Sequence, residues 1–208
     1  MKDLIIIGAG GLGRKVFVCL KRLNQGNLRW NIKGFIDDDL NSLDNVRCDL
    51  KIIGSIKDYQ PKPNDVFVLA MSNPDAKEKM ADMFLERGAV FETIVSPDVL
   101  LGDYVEIGLG SIVMTPYNIE SGAKIGKFVT ILGSTLALDG QIGDYSTTTG
   151  FANLTNANIG KKVFVGSHAV ILEGLNIGDE SSVGVGSIVM KDVNPGTKVF
   201  GNPAREYK

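Results

Sequence analysis

The stretch IGKKVFVGSHAVILEGLNIGDESSVGVGSIV, Ile159 to Val189, decides the fold. Every sixth residue in it is aliphatic: Ile159, Val165, Ile171, Ile177, Val183 and Val189. Gly follows at 160, 166, 178 and 184, and small residues such as Ala169, Ser181 and Ser187 stand two places before. The same spacing runs through Val95, Leu101, Ile107, Val113, Ile119, Ile125 and Ile131. A period of six is neither the 3.6 of a helix nor the two of a strand. It is the hexapeptide signature of a parallel β-helix, in which three hexads close one triangular coil and each aliphatic stacks on its like about eighteen residues on. These Ile and Val are core and carry no chemistry.

The frame slips twice. Ile131 to Ile142 is one residue short of two hexads, and the middle frame of Leu136, Ile142, Thr148 and Leu154 slips again at Ile159. A regular stack is expected to absorb such slips in a loop or bulge. The slips bracket residues 137–159, a polar segment holding Asp139-Gly140-Gln141 and Tyr145-Ser146-Thr147-Thr148-Thr149, so a site is expected there.

The first ninety residues read differently. Leu4–Ile7 is a short apolar run leading into Gly8-Ala9-Gly10-Gly11-Leu12-Gly13, then an amphipathic stretch, then Gly34-Phe35-Ile36 and the acids Asp37, Asp38 and Asp39. Gly8, Gly10 and Gly13 fit G-x-G-x-x-G in its required setting of strand, loop and helix. Such a loop lets backbone approach a phosphate, and the helix N-terminus adds free N–H groups and a positive dipole end. Asp37, at the end of the second strand, is placed to accept from a ribose or base edge. A further strand over Asp65–Ala70 leads to Ser72-Asn73, again at a strand's carboxyl end, and a helix over about Asp75–Glu86. The pattern stops by residue 93, which makes half a Rossmann fold. Half a fold holds one nucleotide rather than a nicotinamide dinucleotide, so a nucleotide or nucleotide sugar is the expected ligand. The chain is thus read as an α/β domain over 1–93 and a β-helix over 94–208.

Composition agrees. Of 25 Gly in 208 residues, 8 fall in residues 1–93 and 17 in 94–208, which marks two architectures. A net charge of −2 offers no basic face for nucleic acid. No apolar run approaches a membrane span, and the N-terminus does not read as a signal peptide. Two Cys without a CxxC suit free thiols in a reducing cytoplasm. The single His excludes any site of three His from one chain, it removes a γ-class carbonic anhydrase, which shares the β-helix but needs three His, and no metal is expected.

A Gly-loop nucleotide domain followed by a hexapeptide β-helix resembles the sugar acetyltransferases of the PglD/NeuD type. The resemblance spans the chain and rests on Ile6–Gly13, Gly34–Asp38, the hexads, Val183–Ser187 and Gly201-Asn202-Pro203-Ala204-Arg205. It implies a left-handed β-helix, a homotrimer, and acetyl-CoA in the cleft between neighbouring β-helices. It also implies a UDP- or dTDP-linked amino sugar on the first domain, for surface glycan synthesis. By position, Gly10, Gly11 and Leu12 would cradle phosphate, Asp37 and Asp38 would meet the nucleoside with Ser72 nearby, and Thr147, Ser167 and Val185 would line the acetyl-CoA cleft.

The departures from that pattern bear on mechanism. The family's His-acid pair falls on Leu138 and Asp139, and its second His falls on Thr147. The one His is His168, five hexads from Asp139 after correcting for one slip, and therefore on another side of the coil. The two could meet only across a subunit interface. Acylating an amine needs less from a base than acylating a hydroxyl, because the nitrogen becomes a strongly acidic ammonium. The sequence therefore favours an N-acetyltransferase with Asp139 or His168 taking the proton. The other readings are an inactive trimeric nucleotide-sugar binder and an O-acetyltransferase of a sugar or sialic acid.

Overall fold

A computed structural model describes every residue except Asn27 and Lys208. The first half is a five-stranded parallel sheet formed by β1 (Lys2–Ile7), β2 (Trp30–Ile36), β3 (Ile52–Gly54), β4 (Asp65–Leu69) and β5 (Val90–Phe91), in the order β3-β2-β1-β4-β5. Two helices, α1 (Gly11–Leu23) and α2 (Pro74–Glu86), connect the strands. Strands β1 and β4 are buried throughout their apolar residues, as a sheet covered on both faces requires. Leu4 and Ile6 pack with Val16 and Leu20 of α1, whereas Ile5 and Ile7 pack with Ala81 and Phe84 of α2. Asn73 caps α2 by accepting the Ala76 N–H at 2.9 Å, and Pro74 occupies the first turn, where a missing N–H costs nothing. The short edge strands β3 and β5 were not resolved in the sequence, which shows no alternation over so few residues.

The chain then winds into coils with three flat sides. One side pairs Ile107, Ile125, Ile142, Ile159 and Ile177 in succession, all parallel. A second pairs Val95, Val113, Ile131, Thr148, Val165, Val183 and Val199. The third runs from Leu101 and Ile119 through bridges at Leu136 and Asn153 to Ile171 and Val189. The hexad aliphatics form one stacked core along the coil axis, except Leu101 of the first coil, which is exposed. Thr148 takes a hexad position with a hydroxyl, and that group is paired with Ser134 inside the stack.

The frame slips are not loops. Ile125 pairs with Ile142 and Ile142 with Ile159, seventeen residues apart instead of eighteen, and the ladder continues unbroken. Each slip deletes one residue at a corner, and the coil closes tighter. The expectation of a bulge over 137–159 is corrected: a shortened corner keeps its neighbours' pairing, so no residue needs to leave the stack. The corners have one recurring conformation. A left-handed residue stands three places before a core residue at Phe128, Asp139, Tyr145, Phe151, Lys162 and His168, with φ between 53° and 62°. That geometry throws the corner side chain outward.

The two halves are joined through α2 and a stack of rings. Phe91 meets Phe128 edge-to-face and Phe128 stacks on Tyr145, with centroids 4.9 and 5.6 Å apart. Asp82 of α2 accepts from the Tyr145 hydroxyl at 3.4 Å, and burial, then Asp82, raises that phenol to about 12. Arg22 of α1 forms a two-pronged pair with Asp98 at the first coil. No helix among the described residues is long and apolar enough to cross a membrane, and both cysteines are free.

Candidate functional site

The loop between β1 and α1 separates two roles for glycine. A Cβ on Gly13 would collide with the Gly8 carbonyl oxygen, so Gly13 is required for packing helix against strand. A Cβ on Gly10 or Gly11 would meet nothing within 4 Å, and neither residue has a positive φ. Backbone strain and packing therefore give no reason for glycine at these two positions. What remains is open space over the first turn of α1, whose N-cap Gly10 has no side chain to satisfy the free N–H groups. Leu12 is half-buried and packs into the core beneath the loop.

Asp37 has a part in this loop beyond the one expected. Its Oδ2 accepts the Ala9 N–H at 2.7 Å and its Oδ1 accepts the Asp39 N–H at 3.0 Å. The carboxylate ties the end of β2 to the Gly loop and fixes the loop's shape. Exposed Asp38 accepts the Lys57 N–H at 3.1 Å.

Ser72 lies elsewhere, on the wall of a cleft of about 640 Å³ between the α2 N-terminus and the coils. Lys162, Phe164, Ser182 and Lys198 form the opposite wall. The Lys162 ammonium holds Asp75 at 3.1 Å, Glu78 at 2.9 Å and Glu180 at 3.0 Å, and these acids raise its pKa. Of the expected substrate residues, this cleft takes in Ser72 alone.

The expected acetyl-CoA residues divide: Ser167 and Val185 lie on neighbouring coils, where the Gly186 N–H donates to the Ser167 carbonyl at 2.8 Å, and Thr147 lies apart. Val185 and His168 are exposed, and Ser167, directly before His168 on the same coil, donates to the Thr149 hydroxyl at 3.1 Å. His168 stacks on Phe151 with centroids 5.0 Å apart, a partner that sequence reading missed. Asp139 is exposed on another corner column, beside exposed Leu138, and its N–H donates to the Ser121 carbonyl. Thr147 is the exception. It is completely buried under α2, so it has no surface to line a cleft in this chain.

What buries Thr147 is Lys77, itself only 1% exposed. Its Nζ donates to Thr147 Oγ1 at 2.8 Å, the Ser146 carbonyl at 3.0 Å and Thr130 Oγ1 at 3.1 Å. Burial lowers this amine to about 7. A signal was present in the sequence: Lys77 is in helical register with Ala81 and Phe84, the buried stripe of α2.

The chain is 32% identical to the GDP-perosamine N-acetyltransferase of Escherichia coli O157:H7 over 98% of its own length and 95% of the relative's. It belongs to the PglD/NeuD family of sugar acetyltransferases. The PglD N-terminal domain model matches residues 3–84, the part that carries the Gly loop, Asp37 and Ser72. WeeI from Acinetobacter baumannii AYE has the same fold over the whole of both chains, with a TM-score of 0.88 and 29% identity. The perosamine N-acetyltransferase of Caulobacter crescentus, solved as a variant with CoA and GDP-perosamine, superposes with a TM-score of 0.88 over 100% of this chain and 98% of its own. At 20% identity that last likeness speaks for the fold alone.

Proposed function

We propose that the chain is an acetyl-CoA-dependent N-acetyltransferase of a nucleotide-linked amino sugar, working as a homotrimer of left-handed β-helices. The observation that carries the nucleotide is the open space above Gly10 and Gly11, two glycines that neither packing nor backbone strain explains. A diphosphate fits there, on the free N–H groups of the first turn. Asp37 holds the loop in shape and keeps lone pairs for the nucleoside, with Asp38 beside it. Relatives named for GDP-perosamine add GDP to the UDP and dTDP expected from the resemblance. The domains divide at residue 93, and acetyl-CoA lies between neighbouring β-helices against Ser167 and Val185.

Acetyl-CoA supplies an activated acyl carbon and a thiolate leaving group. The sugar's neutral amine forms the new C–N bond as the C–S bond breaks. Its nitrogen sheds one proton, to Asp139 and then to the thiolate or solvent. Asp139 is exposed in a single chain, so it gains strength as a base only if a neighbouring subunit buries it. His168 is the other proton acceptor available, reaching in from the neighbour.

The test is thiol release from acetyl-CoA against a panel of UDP-, dTDP- and GDP-linked amino sugars, with the matching hydroxy sugars as controls. Release with an amino sugar alone supports the reading, and release with a hydroxy sugar replaces it by O-acetylation. No release with any sugar, together with tight nucleotide binding, leaves an inactive binder. A solution mass near that of one chain removes the interface site.

A further inference from the structure

The buried amine of Lys77 has no part in the chemistry above, yet it is the only described lysine sealed inside the molecule. It crosses from α2 into the second side of the coil, on strands Thr130–Leu132 and Thr147–Thr148. It lies one turn from Ser72–Asp75, the wall of the 640 Å³ cleft. We propose that Lys77 is a positioning residue, whose amine holds the first turn of α2, and with it that cleft wall, at one register on the β-helix.

Its surroundings are neutral. Of the acids of α2, Asp75 and Glu78 hold Lys162 together with Glu180 of the coil, Asp82 holds Tyr145, and Glu86 is exposed at the far end of the helix. Asp65 of β4, the strand under α2, accepts from Tyr59 and from the Lys62 N–H. The two coil strands offer Lys77 hydroxyls and a carbonyl only. A neutral amine satisfies all three contacts, because a Thr hydroxyl can donate to it as well as accept. An ammonium in the same place donates three bonds but loses its hydration with no counter-charge nearby. Docking of α2 is therefore protonation-sensitive, and it weakens as the pH falls. With the amine titrating near 7 when docked and 10.5 when released, linkage makes release about thirtyfold easier near pH 6 than near pH 8.5.

The role in catalysis rests on the proposed function, but the first test does not. Hydrogen exchange of α2 in the full chain, corrected for intrinsic rates, is compared near pH 6 and pH 8.5 for wild type, Lys77→Arg and Lys77→Met. Arginine stays charged across this range and methionine carries no charge, so both should lose the thirtyfold step. If the methionine variant does not fold, the arginine variant carries the comparison. A step that is absent from wild type, or that survives in both variants, overturns the proposal. The second test is kinetic. Lys77→Met should raise KM for the nucleotide sugar about fivefold, one net hydrogen bond's worth, with KM for acetyl-CoA unchanged. An exchange step with an unmoved KM overturns the positioning role. A wild type without turnover sinks the enzyme reading while the exchange result still decides the docking of Lys77.

Discussion

Replacing Gly11 by valine separates a ligand-binding glycine from a structural one. A side chain at Gly11 enters open space, and the φ is not positive, so folding incurs no steric cost. In a helix, valine is if anything slightly better than glycine, by about 0.4 kcal/mol. The melting temperature should therefore stay within about 2 °C of wild type. Binding should respond otherwise. The isopropyl group occupies the space where a phosphate would meet the N–H groups of the first turn. Losing one charge-assisted hydrogen bond costs about 1.5–3 kcal/mol, or roughly tenfold to a hundredfold in Kd. Gly13→Ala is the converse. Its Cβ strikes the Gly8 carbonyl and presses on the Phe35 ring at 3.4 Å, an overpacking of about 1–3 kcal/mol that lowers the melting temperature by several degrees. Calorimetric titration with UDP, dTDP and GDP, beside thermal melts of both variants, reads the two effects apart. An unchanged Kd in Gly11→Val, or a melting loss equal to that of Gly13→Ala, refutes the assignment of Gly11 to a ligand.

If Asp139 accepts the proton, Asp139→Asn should lower kcat by about 10²-fold or more with both KM values little changed, and His168→Asn should do less; the reverse order assigns the role to His168. Phe128→Ala removes the middle ring between Phe91 and Tyr145, and should cost about 3–5 kcal/mol in denaturant unfolding; a cost below about 1 kcal/mol would show that the rings do not join the halves. The depressed Lys77 amine adds a pH slope to stability. Its folded pKa of about 7 lies below the unfolded value of 10.5, so its favourable share is complete above about 10.5 and is lost as pH falls toward 7. The full span is about 5 kcal/mol, of which about 3–4 kcal/mol falls between pH 7 and 10, and wild type should gain on Lys77→Met by that amount over this range in melts; parallel curves would contradict it.

The legibility of this sequence follows from how each feature is encoded. A hexad column is written in every coil, so the β-helix was readable from spacing alone. The slips at Leu136 and Ile159 point to a bulge in sequence because a missing corner residue looks the same there as a looped-out one. Pairing at seventeen residues, a property of the folded coil, shows the difference. The Gly loop was readable as a motif, but the motif does not say which glycine serves packing. Gly13 and Gly11 differ in what lies beyond their missing Cβ, which is a property of Phe35 and the Gly8 carbonyl in space. Thr147 was placed by alignment to a family position and sits under a helix that alignment does not show. Lys77 is hard to single out in sequence because a lysine in a helix is normally solvated, although its register with Ala81 and Phe84 marks it as buried.

The corner geometry sets a limit on what Asp139 and His168 can do alone. Both occupy the left-handed position that the coil uses at its other corners, with φ of 56° and 60°. Their backbone strain is therefore architectural, and it is no sign of a reaction. Each side chain points away from the core on a different corner column, and neither lines the cleft that contains Ser72. Among its described residues a single chain thus holds an open Gly loop, a cleft wall and the outward-facing Asp139 and His168, but no enclosed place where they meet. On the proposed function, enclosure comes from a second copy. A neighbour's flat side would shield Asp139 from water, which raises a carboxylate's basicity, and could carry His168 toward it. On this argument, mixing Asp139→Asn chains with His168→Asn chains should restore part of the lost activity through mixed trimers that contain an interface with both wild-type groups. No recovery on mixing would place the two residues on separate interfaces, or confine the proton to the substrate and its leaving thiolate.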